Sequence, residues 1–146
     1  MDATEQLQVA IKNNKDWQNF NRPWRTLKVL EVRKEPQGYV KAELVVQEEH
    51  TNSVQQLHGA MMCLLVDIAG LLTLTEGKET KVTPPVASIE MNTSCIRAVN
   101  IGETIVIEGR CLKDGANLGF TNVDIYRKHD GKLVASGRHT LMKFRL

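Results

Sequence analysis

A chain of 146 residues, 42% of them hydrophobic and 25% charged, has the apolar content of a globular protein with one sizeable core. A net charge of +2 and an aromatic content of 5% exclude the strong field and the stacking platforms on which nucleic-acid capture depends. Cys63, Cys95 and Cys111 are scattered and odd in number, which argues against a disulfide framework or a zinc site and for a reducing compartment.

The opening stretch, MDATEQLQVAIKNNKDW, has no continuous apolar segment, and Asp2 and Glu5 are unusual for a transit peptide. The default expectation is therefore the cytoplasm, with a mitochondrial address open through another kind of signal. Leu7, Ala10 and Ile11 stand at i, i+3, i+4 and predict a helix over about 3–20, ended by Pro23. Residues 25–35 alternate in part and predict a strand, and Gln37 and Gly38 mark a turn. Val40, Ala42, Leu44 and Val46 then alternate with polar neighbours, as in a half-buried strand.

A polar loop, EEHTNSVQQ, leads into a helix predicted from 57 to about 75, roughly 28 Å long at the usual rise. It is apolar almost all round, so it is expected to be enclosed. Its apolar run, 60–74, contains Asp67 and is too short and too polar for a membrane span. Gly77 stops the helix, and Pro84 and Pro85 force an extended lead into the next element. Four strands follow, at about 86–95, 103–113, 118–128 and 132–144. Turn signals at 100–102, at Asp114 and Gly115, and at Asp130 and Gly131 make them antiparallel neighbours. One α+β arrangement buries the long helix well: a curved antiparallel sheet wrapped around it, with the N-terminal helix as an addition. A flat two-layer sandwich is the alternative. No repeat, low-complexity tract or linker appears, so the expectation is one domain over 1–146, with its core over about 25–146.

Three positions suggest chemistry. Gly59 opens the buried helix, where free N–H groups and about half a positive charge gather. A glycine there lets a substrate carbonyl come close, as an oxyanion hole requires; the alternative is that it relieves tight packing. Asp67 is the only charged residue between His58 and Glu76. Burying a carboxylate costs several kcal/mol unless it is paired or used, so it reads as a base, a water-orienting group or a structural hydrogen-bonding group. Ser88 lies in VASIEMNTSC, where Ala87, Ile89 and Met91 are expected to face the helix. That leaves Ser88 on the other face unless a bulge or a partner subunit intervenes.

Gly59 and Asp67 stand at i and i+8, about 80° and roughly 12 Å apart on an ideal helix. An oxyanion donor and a base must both reach one carbonyl or its water, which two antiparallel helices across a twofold axis can arrange. No GxSxG, HExxH, CxxC, P-loop or GxGxxG occurs, and His50, His58, His129 and His139 lack metal-ligand spacing. The sequence gives no reason to invoke a metal or a cofactor.

The segment EEHTNSVQQLHGAMMCLLVDIAGLLTL, with VASIEMN, IGETIVIEG and GKLVASGRHT, resembles the hotdog thioesterases of the phenylacetate-pathway type over about 40–142. The resemblance implies the hotdog fold and hydrolysis of an acyl-CoA, fatty and of medium or long chain, to the free acid and CoA. An aryl-CoA is the alternative substrate. It further implies that Asn52 and Gly59 polarise the thioester carbonyl, that Asp67 and Ser88 hold and activate water, and that His58 shapes the carbonyl site. The spacing of Gly59 and Asp67 points to a homodimer, with a homotetramer built as a dimer of dimers as the larger expectation. The family motif begins His-Gly-Gly; here it is His58, Gly59 and Ala60, which adds a methyl beside the acyl or pantetheine path. Lys113, Arg138 and His139 are the candidates for the CoA phosphates. A hotdog hydratase or dehydratase, and a non-catalytic acyl-CoA binder, are the other readings.

Overall fold

A computed structural model describes residues 1–13, 20, 22–74 and 86–144. Helix α1 (Ala3–Asn13) starts at a reciprocal cap: Asp2 Oδ1 accepts the Glu5 N–H at 2.8 Å, and Glu5 accepts the Asp2 N–H. Leu7, Ala10 and Ile11 form its buried stripe. The predicted continuation over 14–19 lies outside the described residues, and Phe20 is exposed in a turn. Pro23 sits inside a 3-10 turn, Arg22–Thr26, in which Trp24 is buried.

The strands are β1 (Lys28–Arg33), β2 (Tyr39–Val45), β3 (Val86–Cys95), β4 (Thr104–Asp114), β5 (Leu118–Arg127) and β6 (Leu133–Lys143). They form one antiparallel sheet in the order β1-β2-β4-β5-β6-β3. Edge strand β1 is covered by α1, whose Gln8 and Thr4 side chains accept the Val29 and Val32 N–H groups. Edge strand β3 is open: none of its residues is buried.

Helix α2 (Gly59–Leu72) lies across β3, β4, β5 and β6. Leu65 and Val66 are fully buried against Ile105, Val123 and Ile125 of the shared core. Two glycines permit this close seating. A Cβ on Gly109 would stand 2.7 Å from the Ala69 carbonyl oxygen, and one on Gly70 would stand 2.5 Å from Thr121 Oγ1. This is the hotdog arrangement rather than the flat sandwich. The helix starts later than predicted because Leu57 is committed elsewhere: it pairs with Thr51 and its N–H is held by the Val99 carbonyl at 2.8 Å. Gly77, Pro84 and Pro85 lie outside the described residues. The turn signals hold at Gly102 (φ 87°) and Gly131 (φ 68°), both in the left-handed region that favours glycine. Among the described residues, no helix is long and apolar enough to cross a membrane.

Candidate active site

The loop before α2 closes on itself. The Asn52 N–H reaches the Gln56 carbonyl at 2.8 Å, Thr51 bridges Leu57, and the His58 N–H reaches the His50 carbonyl at 2.9 Å. At the tip, Gln55 takes φ 59°, rare for a residue with a Cβ and costing of order 1 kcal/mol or more. Asn52 Oδ1 accepts the Val54 and Gln56 N–H groups, both at 3.1 Å. Only the amide oxygen can accept, so the orientation is fixed and the Nδ2 donor is left for another acceptor.

His58 is the N-cap of α2, and its Nδ1 accepts the Ala60 N–H at 3.0 Å. The cap therefore takes the second N–H of the helix and leaves the first, on Gly59, without an acceptor among the described residues. A Cβ on Gly59 would meet only Cys95 Sγ, at an ordinary 3.6 Å. Packing does not demand glycine here, which weakens the tight-packing alternative. Cys95 is a poor nucleophile beside this donor, because burial and then the neighbouring Cys63 push its thiol pKa up.

Further along α2, Asp67 meets Ser88 and His139. His139 Nδ1 lies 3.1 Å from the Asp67 carbonyl oxygen, and its Nε2 lies 2.7 Å from Ser88 Oγ and 3.4 Å from Asp67 Oδ1. Ser88 Oγ is itself 3.4 Å from Asp67 Oδ1. A carbonyl only accepts, so Nδ1 carries the hydrogen. Burial lowers the His139 pKa, and the Asp67 carboxylate and carbonyl pull less strongly the other way. The ring is therefore neutral near pH 7, with an Nε2 lone pair. Ser88 has one hydrogen and two candidate acceptors, and the 2.7 Å contact to Nε2 takes it over the 3.4 Å contact to Asp67. The Ser88 lone pairs and the partly exposed Asp67 carboxylate are then both free to accept from a water molecule.

The parity expectation for β3 is corrected by a bulge. Ser88 pairs with Leu141 and Glu90 with Thr140, so Ile89 is an extra residue and is 55% exposed. Ser88 thereby shares the helix-facing side with Met91, opposite His139, while Ala87 and Ile89 do not.

His139 is corrected as a phosphate contact. It is fully buried, and both ring nitrogens are engaged inside the chain. Its partners are the Asp67 backbone and Ser88, a role the sequence reading missed. The available signal was alternation: Ala135, Gly137, His139 and Leu141 form the inward face of β6. Arg138 is exposed on the outer face, and so is Lys113, whose partner Phe120 pairs with Thr140. Within one chain these two cations stand on the side of the sheet away from Ser88 and His139. Gly59 and Asp67 belong to one continuous helix, so their separation stands as expected. Among the described residues, no cluster of three or more His, Cys, Asp or Glu is arranged to hold a metal ion.

This arrangement has relatives. The thioesterase superfamily model matches residues 55–134. Acyl-coenzyme A thioesterase 13 of Homo sapiens is 39% identical over 137 residues, covering 94% of this chain and 94% of that protein. The crystal structure of thioesterase superfamily member 2 from Mus musculus aligns with a TM-score of 0.82 at 32% identity, over 97% of this chain and 98% of that one. Its zebra fish counterpart aligns at 0.79 and 34%, over 95% and 94%.

Proposed function

The chain belongs to the thioesterase superfamily, and we propose on that ground that it hydrolyses acyl-CoA thioesters, with fatty acyl-CoA of medium or long chain as its substrate. The Gly59 N–H and the Asn52 Nδ2 donor polarise the thioester carbonyl. Water held by Ser88 and Asp67 attacks it, with Asp67 taking the proton. The tetrahedral oxyanion is stabilised at the helix N-terminus and collapses to the carboxylic acid and the CoA thiol, which leaves with that proton. The observation that carries this reading is the free Gly59 N–H, left by a cap that satisfies its neighbour instead. The name of the human relative, acyl-coenzyme A thioesterase 13, supports the substrate class.

Asp67 and Gly59 of one chain do not converge, and β3 offers an open edge beside both Ser88 and Cys95. We place the working site between two chains paired along that edge, as a homodimer or a dimer of dimers, with α2 antiparallel to its copy. The test is thiol release from acyl-CoA of graded chain length. Release peaking at medium or long chains supports the reading. A hydratase would consume an enoyl-CoA without freeing thiol, and a binder would retain acyl-CoA intact; either result overturns it.

A further inference from the structure

His50 is fully buried, and no step of the proposed hydrolysis uses it. Its Nδ1 accepts the Gln47 N–H at 2.9 Å, and its Nε2 lies 3.2 Å from the Pro23 carbonyl oxygen. The first partner can only donate and the second only accept, so the ring is neutral with its hydrogen on Nε2. The half-exposed Glu49 carboxylate lies 3.6 Å from the same Nε2, beyond a good hydrogen bond. Meanwhile the His50 carbonyl oxygen accepts the His58 N–H at 2.9 Å.

These contacts run from one end of the chain to the chemistry. Pro23 belongs to the Arg22–Thr26 turn, anchored by the buried Trp24 and lying outside the 55–134 span of the family match. Asn52 follows His50 by two residues in the same closed loop. His58, hung from the His50 carbonyl, caps α2 and thereby decides which helix N–H stays free. We propose that His50 is a positioning residue, which fastens the loop bearing Asn52 and His58 to the N-terminal segment and so sets both carbonyl-polarising donors. The proposal rests on the hydrolase reading above.

Oxyanion donors act in the transition state, and a displacement of about 1 Å costs up to about a hundredfold in rate. Loosening the loop is therefore expected to appear in kcat rather than KM. In the full-length chain, His50→Leu removes both ring bonds. His50→Asn keeps an acceptor near the Nδ1 position, and His50→Gln keeps a donor near the Nε2 position. We expect kcat to fall about thirtyfold in His50→Leu with KM within about twofold, and the two amide variants to recover part of the loss. In an Asn52→Ala background the same His50→Leu change should cost less, because one of the two donors it positions is already gone. Amide exchange at His58 and Ala60 should rise about tenfold in His50→Leu, with the later turns of α2 unchanged.

An unchanged kcat in all three folded variants, or an undiminished cost in the Asn52→Ala background, overturns the proposal. If His50→Leu fails to fold, the amide variants carry the same comparison. If the wild type releases no thiol from any acyl-CoA, the hydrolase reading falls by itself. The exchange contrast then judges His50 alone, and uniform exchange across the loop and α2 overturns its positioning role.

Discussion

Asp67 is a carboxylate on a helix otherwise lined by Leu64, Leu65, Val66, Ile68 and Ala69, and it keeps 31% of its side chain in contact with solvent. Its near-isosteric replacement separates chemistry from folding. Asp67→Asn is expected to lower kcat by about a hundredfold or more while leaving the melting temperature close to wild type. Near-normal turnover in that variant would make Asp67 structural. His139 makes a second, pH-linked prediction. Its folded-state pKa lies below the ordinary 6.5, mainly through burial, so the unfolded chain takes up the proton first as pH falls. The associated stability is full above about pH 6.5 and is lost as pH drops towards the folded-state value. Thermal melts from about pH 8 to about pH 5 should therefore fall more steeply for wild type than for His139→Asn. Parallel curves would show that His139 is not the source. Protonation also puts a hydrogen on Nε2 facing Ser88, so hydrolysis should decline over the same interval.

Strand β3 shows how one inserted residue changes what a strand presents. Were Ile89 paired in regular alternation instead of bulged out, Ser88 would turn to the sheet's outer face. Deleting Ile89 removes the extra residue and leaves Ser88 opposite Leu141 on the helix-facing side, so kcat should stay well above that of Ser88→Ala, with β3 still paired to β6. A folded Ser88→Ala variant as active as the deletion would mean that Ser88 is not the water-holding hydroxyl. The bulge also marks the limit of what the sequence discloses. Alternation in Val40, Ala42 and Leu44, and the glycine turns at Gly102 and Gly131, write strands and hairpins into local pattern, and the strand bounds differ little from those expected. Nothing local announces a bulge, because it arises where β3 must fit β6 and α2 together. The late start of α2 has the same origin: Leu57 is apolar enough for a helix, but its backbone belongs to the Thr51 bridge and to Val99. Gly59 and Asp67 were visible as anomalies on an apolar helix. His139 was misread because a histidine beside an arginine looks like surface, whereas the alternation of β6 buries it.

For the molecule as a whole, the decisive feature is an open edge strand next to a site whose parts are spread along one helix. No residue of β3 is buried, and Ile89 and Met91 are 55% and 41% exposed. An unpaired edge of that length is ordinarily covered or paired. Pairing β3 with its copy would bring the second α2 alongside the first, with its Asp67 towards the Gly59 end. The long helix and the open edge of the sheet supply this geometry, while the N-terminal segment, through Pro23 and His50, holds the donor loop in place.

Mixed dimers of two inactive variants decide whether the site is shared. Asp67→Ala and Asn52→Ala homodimers should each be nearly dead. Co-expressed or refolded together, they should form about half heterodimers, each with one intact site and one doubly damaged site, and recover about a quarter of wild-type thiol release. Heterodimers demonstrated by tag capture but showing no recovery would place Asn52 and Asp67 in the same chain's site and contradict the account.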